Sequence, residues 1–431
     1  MKNIGIGIIG LGNIGSRLYK EIISNKKDIG LKTNTNINIV AISAKNINKK
    51  RSFSFRKKIF FKNPLKIVEN PNVNIVIELI GKSDGISKRI IETALKNKKH
   101  VITANKALIS KHGDSLTTIA EKNKVNLEFE AAVGGGIPVL RTIKEGLATN
   151  KISKVYGILN GTCNYILSEM ESSKDSFIKV LKKAQKLGYA EPTNPKLDLN
   201  GYDAMAKIRI LSSLAFNKKI SKSKSLMEGI EDIETKDIDI ANQLNLRIKL
   251  LGITETHKNK IGSFVYPCLV EKKSLISNVD GVYNGIVVES DFCKKSFFQG
   301  EGAGSFPTAT SVLSDIITIL KSGSASFTLK LPKDNTDFAK IEERFGSYYL
   351  RFTTLDKPGV VSGISNQFKK CDISMKSMLQ KDPLKDDINQ ATIVVTTHNC
   401  KEKNMITALN KIDKLDFILK KTVYLRIESF K

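Results

Sequence analysis

The chain has 431 residues, 70 Lys and Arg against 43 Asp and Glu, and a formal charge of +27. Hydrophobic residues at 41% exclude a wholly disordered chain, and no apolar run approaches the roughly 20 residues of a membrane helix. The charge invites a phosphate-backbone partner, but its basic runs are short and scattered (Lys49-Lys50-Arg51, Arg56-Lys57-Lys58, Lys98-Lys99, Lys420-Lys421), and no nucleic-acid-binding signature accompanies them.

The first 135 residues alternate short apolar runs with helical patterns, which predicts a parallel α/β sheet. Ile4 to Ile9 reads as a strand, Ile14 to Ser24 as the following helix, and Ile37 to Ser43 as the second strand. Val73 to Ile80 reads as a buried strand and Ser87 to Lys98 as a helix with Ile90, Ile91, Ala94 and Leu95 on its apolar face. Short strands are expected at Val101 to Thr103 and Val125 to Ala131. Pro138 then opens a helix through Leu147.

From Lys151 the texture changes. A strand from Val155 to Leu159 meets the polar turn Asn160-Gly161-Thr162, and two helices flank a Pro/Asn/Gly-rich loop at 188–201. β-like runs follow at Ser263 to Val270 and Gly285 to Glu289, then Gly300-Glu301-Gly302-Ala303-Gly304 and a helix from Thr308 to Lys321. A linker at Lys333 to Lys340 leads to a βαββαβ tail, 346–431, the order of a ferredoxin-like unit. Its strands are expected at Tyr348–Thr354, Ile373–Leu379, Ala391–Thr396 and Val423–Arg426.

Two segments carry chemistry. Gly10-Leu11-Gly12-Asn13-Ile14-Gly15 lies between a predicted strand and helix, where a dinucleotide's pyrophosphate meets free N–H groups and a helix N-terminus. The second strand ends in Ser43-Ala44-Lys45 without an acid for a ribose diol. With Lys45 and Arg51 nearby, NADP is favoured over NAD. Further on, Gly188-Tyr189-Ala190-Glu191 precedes Asp198, Gly201, Asp203 and Lys207. Asp203 and Lys207 share a helix face, either as a surface ion pair or as part of a pocket where acids hold an ammonium and a lysine moves a proton.

The whole pattern resembles the signature of homoserine dehydrogenases. Further blocks occur in that family's order: Val101-Ile102-Thr103-Ala104-Asn105-Lys106, Glu130-Ala131-Ala132-Val133-Gly134-Gly135-Gly136-Ile137-Pro138, and Gly157-Ile158-Leu159-Asn160-Gly161-Thr162-Cys163-Asn164. The tail segment Tyr349-Leu350-Arg351-Phe352 through Asp356-Lys357-Pro358-Gly359-Val360 resembles an ACT regulatory domain. Thr193-Asn194 depart from the pattern, which commonly has an acid before the proline.

The resemblance implies NAD(P)-dependent interconversion of L-homoserine and L-aspartate 4-semialdehyde in threonine and methionine biosynthesis. It implies a Rossmann-type domain at 1–135 completed by about 303–325, an α+β catalytic and dimerisation domain at 136–302, and an ACT domain at 346–431. Lys207 and Lys106 fall at its catalytic positions, and Glu191, Asp198, Asp203 and Thr162 at its substrate positions. Gly10, Gly12, Asn13, Ile14, Gly15, Lys45, Lys106, Gly188 and Gly302 are the expected cofactor contacts. Glu130, Val133, Gly135 and Ile137 map onto a site for a monovalent cation such as sodium, built largely of carbonyl oxygens. A homo-oligomer is expected, with threonine as a regulator at the tail.

Other features fit that reading without adding to it. Five scattered cysteines, never in C-x-x-C spacing, and a start lacking the layout of a secretory signal lead us to expect a cytoplasmic protein with reduced thiols. His100, His112, His257 and His398 lack paired-ligand spacing and are expected to be ordinary core or surface histidines.

Overall fold

The computed structural model describes residues 2–49, 51, 53–220, 225–257, 260–322, 337–381 and 389–430. Strands β1 (Lys2–Ile9), β2 (Thr35–Ser43), β3 (Ile75–Glu78), β4 (His100–Thr103) and β5 (Leu127–Glu128) form a parallel sheet in the order β2-β1-β3-β4-β5. Ile4 through Ile9 are buried without a break, as expected of a strand covered on both faces. The helix Asn13–Ser24 turns Leu18 and Ile22 inward, and the helix Ile86–Lys96 does so with Ile90, Ile91, Ala94 and Leu95.

The strand order reverses between β1 and β3, and ligands of open α/β sheets bind beyond the carboxyl ends at such a reversal. Gly10-to-Gly15 sits there. Gly15 has no room for a side chain, because a Cβ would come within 1.9 Å of the Gly10 carbonyl oxygen. The later helix Ser305–Ser322 packs into this same core, with Ala309, Val312, Ile316 and Ile319 against Ile6, Ile8, Leu18 and Ile102.

The middle of the chain builds an antiparallel sheet from β6 (Ile152–Ile158), β7 (Leu246–His257), β8 (Lys260–Glu271), β9 (Tyr283–Ser290) and β10 (Lys294–Glu301), ordered β10-β9-β6-β7-β8. The helices Gly161–Ser173, Phe177–Lys186 and Tyr202–Phe216 share a core with it: Cys163, Ile166, Met170, Val180, Ala184, Ile208 and Leu211 join Val155, Leu250 and Val265.

The tail contributes β11 (Phe345–Leu355), β12 (Met375–Lys381), β13 (Gln390–Thr397), β14 (Cys400–Lys401) and β15 (Ile418–Glu428), with helices Val360–Lys370 and Glu402–Ile412. Its sheet order, β15-β11-β13-β12, is that of a ferredoxin-like unit. β15 lies parallel to β8, pairing Arg426 with Cys268 and Glu428 with Val270, so the two sheets are continuous.

Some boundaries differ from the sequence expectation. The strand expected over 125–131 ends at Glu128, because Glu130–Ala132 form a tight turn whose Glu130 carboxylate accepts from the N–H groups of Leu140 and Arg141. The helix after Pro138 is regular only over Val139–Arg141 and then widens to a π-type turn over Thr142–Gly146. A long helix, Lys106–Asn123, capped by the Asn105 side chain on Leu108, escaped the sequence reading. The expected linker 333–340 lies outside the described residues except for 337–340, where Phe338 pairs with Ile261.

Because a Cβ at Gly15 would strike backbone rather than a movable side chain, Gly15→Ala is expected to lower unfolding free energy by about 1–3 kcal/mol, read by urea denaturation, and to weaken NADPH binding in a fluorescence titration.

Candidate active site

The site begins where β6 ends. Asn160 is buried and caps the helix Gly161–Ser173, its Oδ1 accepting from the Cys163 N–H at 2.8 Å. Its Nδ2 donates to both Asp198 (2.9 Å) and Asp203 (3.0 Å). Asp203 lies in the first turn of the helix Tyr202–Phe216, and Lys207 one turn later reaches its Oδ2 at 2.8 Å. The other oxygen of Asp203 takes the Lys106 ammonium at 2.7 Å. Lys106 is the first residue of its helix and belongs to the parallel-sheet half of the molecule.

Burial decides between the two readings of this pair. The side chains of Asp203 and Lys207 are 9% and 8% exposed, so this is not a solvated surface bridge. Burial opposes the charge on Asp203, yet Lys207 and Lys106 overcome it and hold the carboxyl well below the usual range. Burial lowers the Lys207 pKa, and the charge of Lys106 lowers it further against the pull of Asp203. Burial and the neighbouring Asp203 charge raise the pKa of Asp198. Lys207 also donates to the Leu159 carbonyl at 2.6 Å, so its ammonium is held from two directions.

These groups line a cavity of about 760 Å³. Its wall includes Ile14, Lys106, Thr162, Gly188, Glu191, Asp198, Asp203, Lys207 and Gly302 from among the expected residues. Glu191 is exposed on the wall, while the Thr162 hydroxyl donates to the Tyr189 carbonyl at 2.6 Å and so braces the 188–191 turn. Gly10, Gly12, Asn13 and Gly15 share the Ile14 turn but are not on the wall. A side chain at Gly12 would meet open space, as a backbone exposed to a ligand should.

Lys45 is exposed at the end of β2, outside this cavity. Arg51, expected beside it, instead turns its guanidinium onto the carbonyls of Asn46, Ile47 and Lys49 at 2.8–3.0 Å. Its hydrogen bonds therefore lie within its own loop.

Of the four expected cation positions, only Gly135 reaches the cavity wall. The Gly135 carbonyl accepts from Ser311 at 2.6 Å, and the Glu130 N–H donates to the buried Asp315 at 3.1 Å. Among the described residues no cluster of His, Cys, Asp or Glu side chains could hold a metal, so a cation at these positions would rest chiefly on backbone carbonyl oxygens.

Two buried asparagines were missed. Asn160 could have been found as a helix cap from the Asn-Gly-Thr spacing, but its reach to two carboxylates is a tertiary fact. Asn284, on β9, lines the cavity and donates to the same Leu159 carbonyl as Lys207, at 3.3 Å. Cys163 is buried, and burial pushes its thiol pKa well up, which leaves it inert. No described helix is long and apolar enough to cross a membrane.

Residues 138–317 match the family model for homoserine dehydrogenase, and residues 10–130 match that for the homoserine dehydrogenase NAD binding domain. The homoserine dehydrogenase of Neisseria gonorrhoeae is 37% identical over 437 residues, covering 100% of this chain and 99% of its own length. The crystal structure of a homoserine dehydrogenase from Thiobacillus denitrificans superposes with a TM-score of 0.91 at 35% identity, covering 99% of both chains. A hyperthermophilic archaeal homoserine dehydrogenase solved with NADPH shares the fold at 22% identity, with a TM-score of 0.60 over 74% of this chain. With 10–130 and 138–317 matched by the two family models and nearly the whole chain matched in sequence and in fold, the chain belongs to the homoserine dehydrogenase family of NAD(P)-dependent oxidoreductases.

Proposed function

We propose that the cavity interconverts L-homoserine and L-aspartate 4-semialdehyde, with Lys207 as the acid/base and NADP as the favoured carrier. One observation supports this most directly: a buried lysine of lowered pKa, held between an aspartate and a second lysine, opens onto a cavity reached from the dinucleotide turn. A bound nicotinamide exchanges the hydride with the carbinol carbon. The Lys207 amine takes the hydroxyl proton on oxidation and returns it to the carbonyl oxygen on reduction. Glu191, Asp198 and Asp203 attract the substrate's ammonium, and Lys106 stabilises negative charge beside Asp203. Gly188 and Gly302 give the cofactor close backbone approach, and Lys45 suits a 2′-phosphate better than a ribose diol.

The unit divisions follow: 1–135 with 303–325 for the nucleotide, 136–302 for catalysis and dimerisation, and 346–431 as an ACT domain. The Glu130, Val133, Gly135 and Ile137 positions suit a monovalent cation that stiffens the hinge between the first two. In the tail, a cavity of about 210 Å³ lies where β11 meets the N-terminus of the helix Val360–Lys370, lined by Asp356, Gly359 and Ser362. Free N–H groups there suit an amino acid's carboxylate. We assign it to threonine, acting as a feedback inhibitor of a cytoplasmic homo-oligomer.

NADPH oxidation with aspartate semialdehyde tests the core of this reading. Lys207→Ala is expected to cut kcat by about 100-fold or more while NADPH still binds, and Asp203→Ala to raise KM as well. Robust turnover surviving both changes overturns the assignment. The pH dependence carries a definite sign. Homoserine oxidation needs a neutral Lys207, so its rate rises through a midpoint below the ordinary lysine value of 10.5, and the reverse reaction falls through the same midpoint. The Asp203 charge raises the Lys207 pKa, so Asp203→Asn shifts both limbs to lower pH. Millimolar threonine is expected to slow the wild-type enzyme, and Asp356→Ala to relieve that inhibition; unchanged wild-type rates remove the regulatory reading.

A further inference from the structure

The tail grips the catalytic unit through two buried arginines, and both hold one stretch of chain, 228–237. Arg426 on β15 is 1% exposed; it donates to Glu228 at 2.6 Å and, on its other side, to the fully buried Glu402 at 2.6 Å. Arg351 on β11 donates to Asp237 at 2.5 Å and to Glu234 at 3.0 Å. Glu234 and Asp237 are themselves the reciprocal cap of the helix Thr235–Gln243. A planar guanidinium fixes direction as well as distance, so both ends of this stretch are set by the tail.

The first residues of that stretch press on the active site. The Ile230 N–H donates to the Leu199 carbonyl at 3.1 Å. Gly229 lies so close to Leu199 that a Cβ would come within 2.2 Å of its oxygen. Gly201, in the left-handed region at φ +82°, faces Val265, Met227 and the Glu228 carbonyl closely enough that an added Cβ would lie 2.9–3.3 Å from them. Leu199 to Gly201 is the short turn between Asp198 and the helix that carries Asp203 and Lys207. A displacement of Glu228 therefore has a direct backbone route to both acids.

We propose that Glu228 is a positioning residue for the substrate pocket, and that the tail, by holding it, sets where Asp198 and Asp203 meet the substrate's ammonium. This rests on the assignment of those acids to the pocket. The alternative is that the arginines merely dock one unit on another. A surface pair just ahead of the tail separates the two ideas: Lys260 on β8 meets Glu343 at 3.0 Å, away from the stretch 228–237.

The test uses the full chain, with Glu228→Ala, Glu228→Gln and Glu343→Ala compared by steady-state kinetics and thermal melting. Glu228→Ala is expected to raise KM for homoserine about tenfold while kcat and KM for NADP change less than about twofold. Glu228→Gln, which keeps an acceptor for Arg426, should recover part of that loss, and Glu343→Ala should leave all three constants unchanged. A homoserine KM in Glu228→Ala within twofold of wild type, or an equal rise in Glu343→Ala, overturns the proposal. If Glu228→Ala does not fold, Glu228→Gln decides: a raised homoserine KM supports the proposal and an unchanged one overturns it. Failure of the underlying site reading shows separately, as wild-type protein without homoserine turnover.

Discussion

The Asp203 carboxylate is the constraint around which the rest is arranged. It accepts from Lys106, Lys207 and Asn160 at 2.7–3.0 Å while almost fully buried. Without it, the Lys106 and Lys207 ammoniums would face one another with Lys207 buried, and burying unpaired charge is costly. Its three partners come from different places: the start of the helix after β4, the end of β6, and its own helix. The fold must bring these together before any of them can act, and the parallel sheet, the antiparallel sheet and their shared cavity are the means.

Glycine contacts and buried arginines supply the rigidity that this arrangement needs. At Gly15 and Gly229 one backbone lies against another at distances no side chain would permit. The continuous β8–β15 seam joins the tail to the catalytic sheet, with Arg344 and Arg426 meeting carboxylates beside it and Arg351 meeting Asp237 from β11. Glu428 shows the density of that seam: it accepts from Arg344 at 2.7 Å and from the Tyr266 hydroxyl at 3.0 Å. Such buried pairs are weak evidence of net stability but strong determinants of geometry, because breaking one leaves a stranded charge.

The +27 charge has a plainer meaning beside this. The basic groups that matter here are the buried or half-buried ones, Lys106, Lys207, Arg351 and Arg426, and each has an acid within hydrogen-bond distance. Surface pairs such as Lys179 with Asp175 are solvated and contribute little. Arg51 is a caution against reading function from charge and proximity in sequence, since its guanidinium closes its own loop.

By itself the sequence determined the local facts. The unbroken apolar run of Ile4 to Ile9 made a doubly covered strand, Gly10 to Gly15 made the turn after it, and the spacing of Asp203 and Lys207 put them on one face of a helix. Those outcomes depend on residues within a turn or two of each other. Whether Asp203 and Lys207 were a solvated bridge or a buried pair depended on what covered them. Asn160, 43 residues from Asp203, and Lys106, 97 residues away, became its partners only when two sheets folded against each other. The grip of Arg426 on Glu228 spans 198 residues, and no local pattern marks it. Tertiary structure decided burial, and burial turned ordinary lysines and aspartates into groups with altered pKa values and fixed directions.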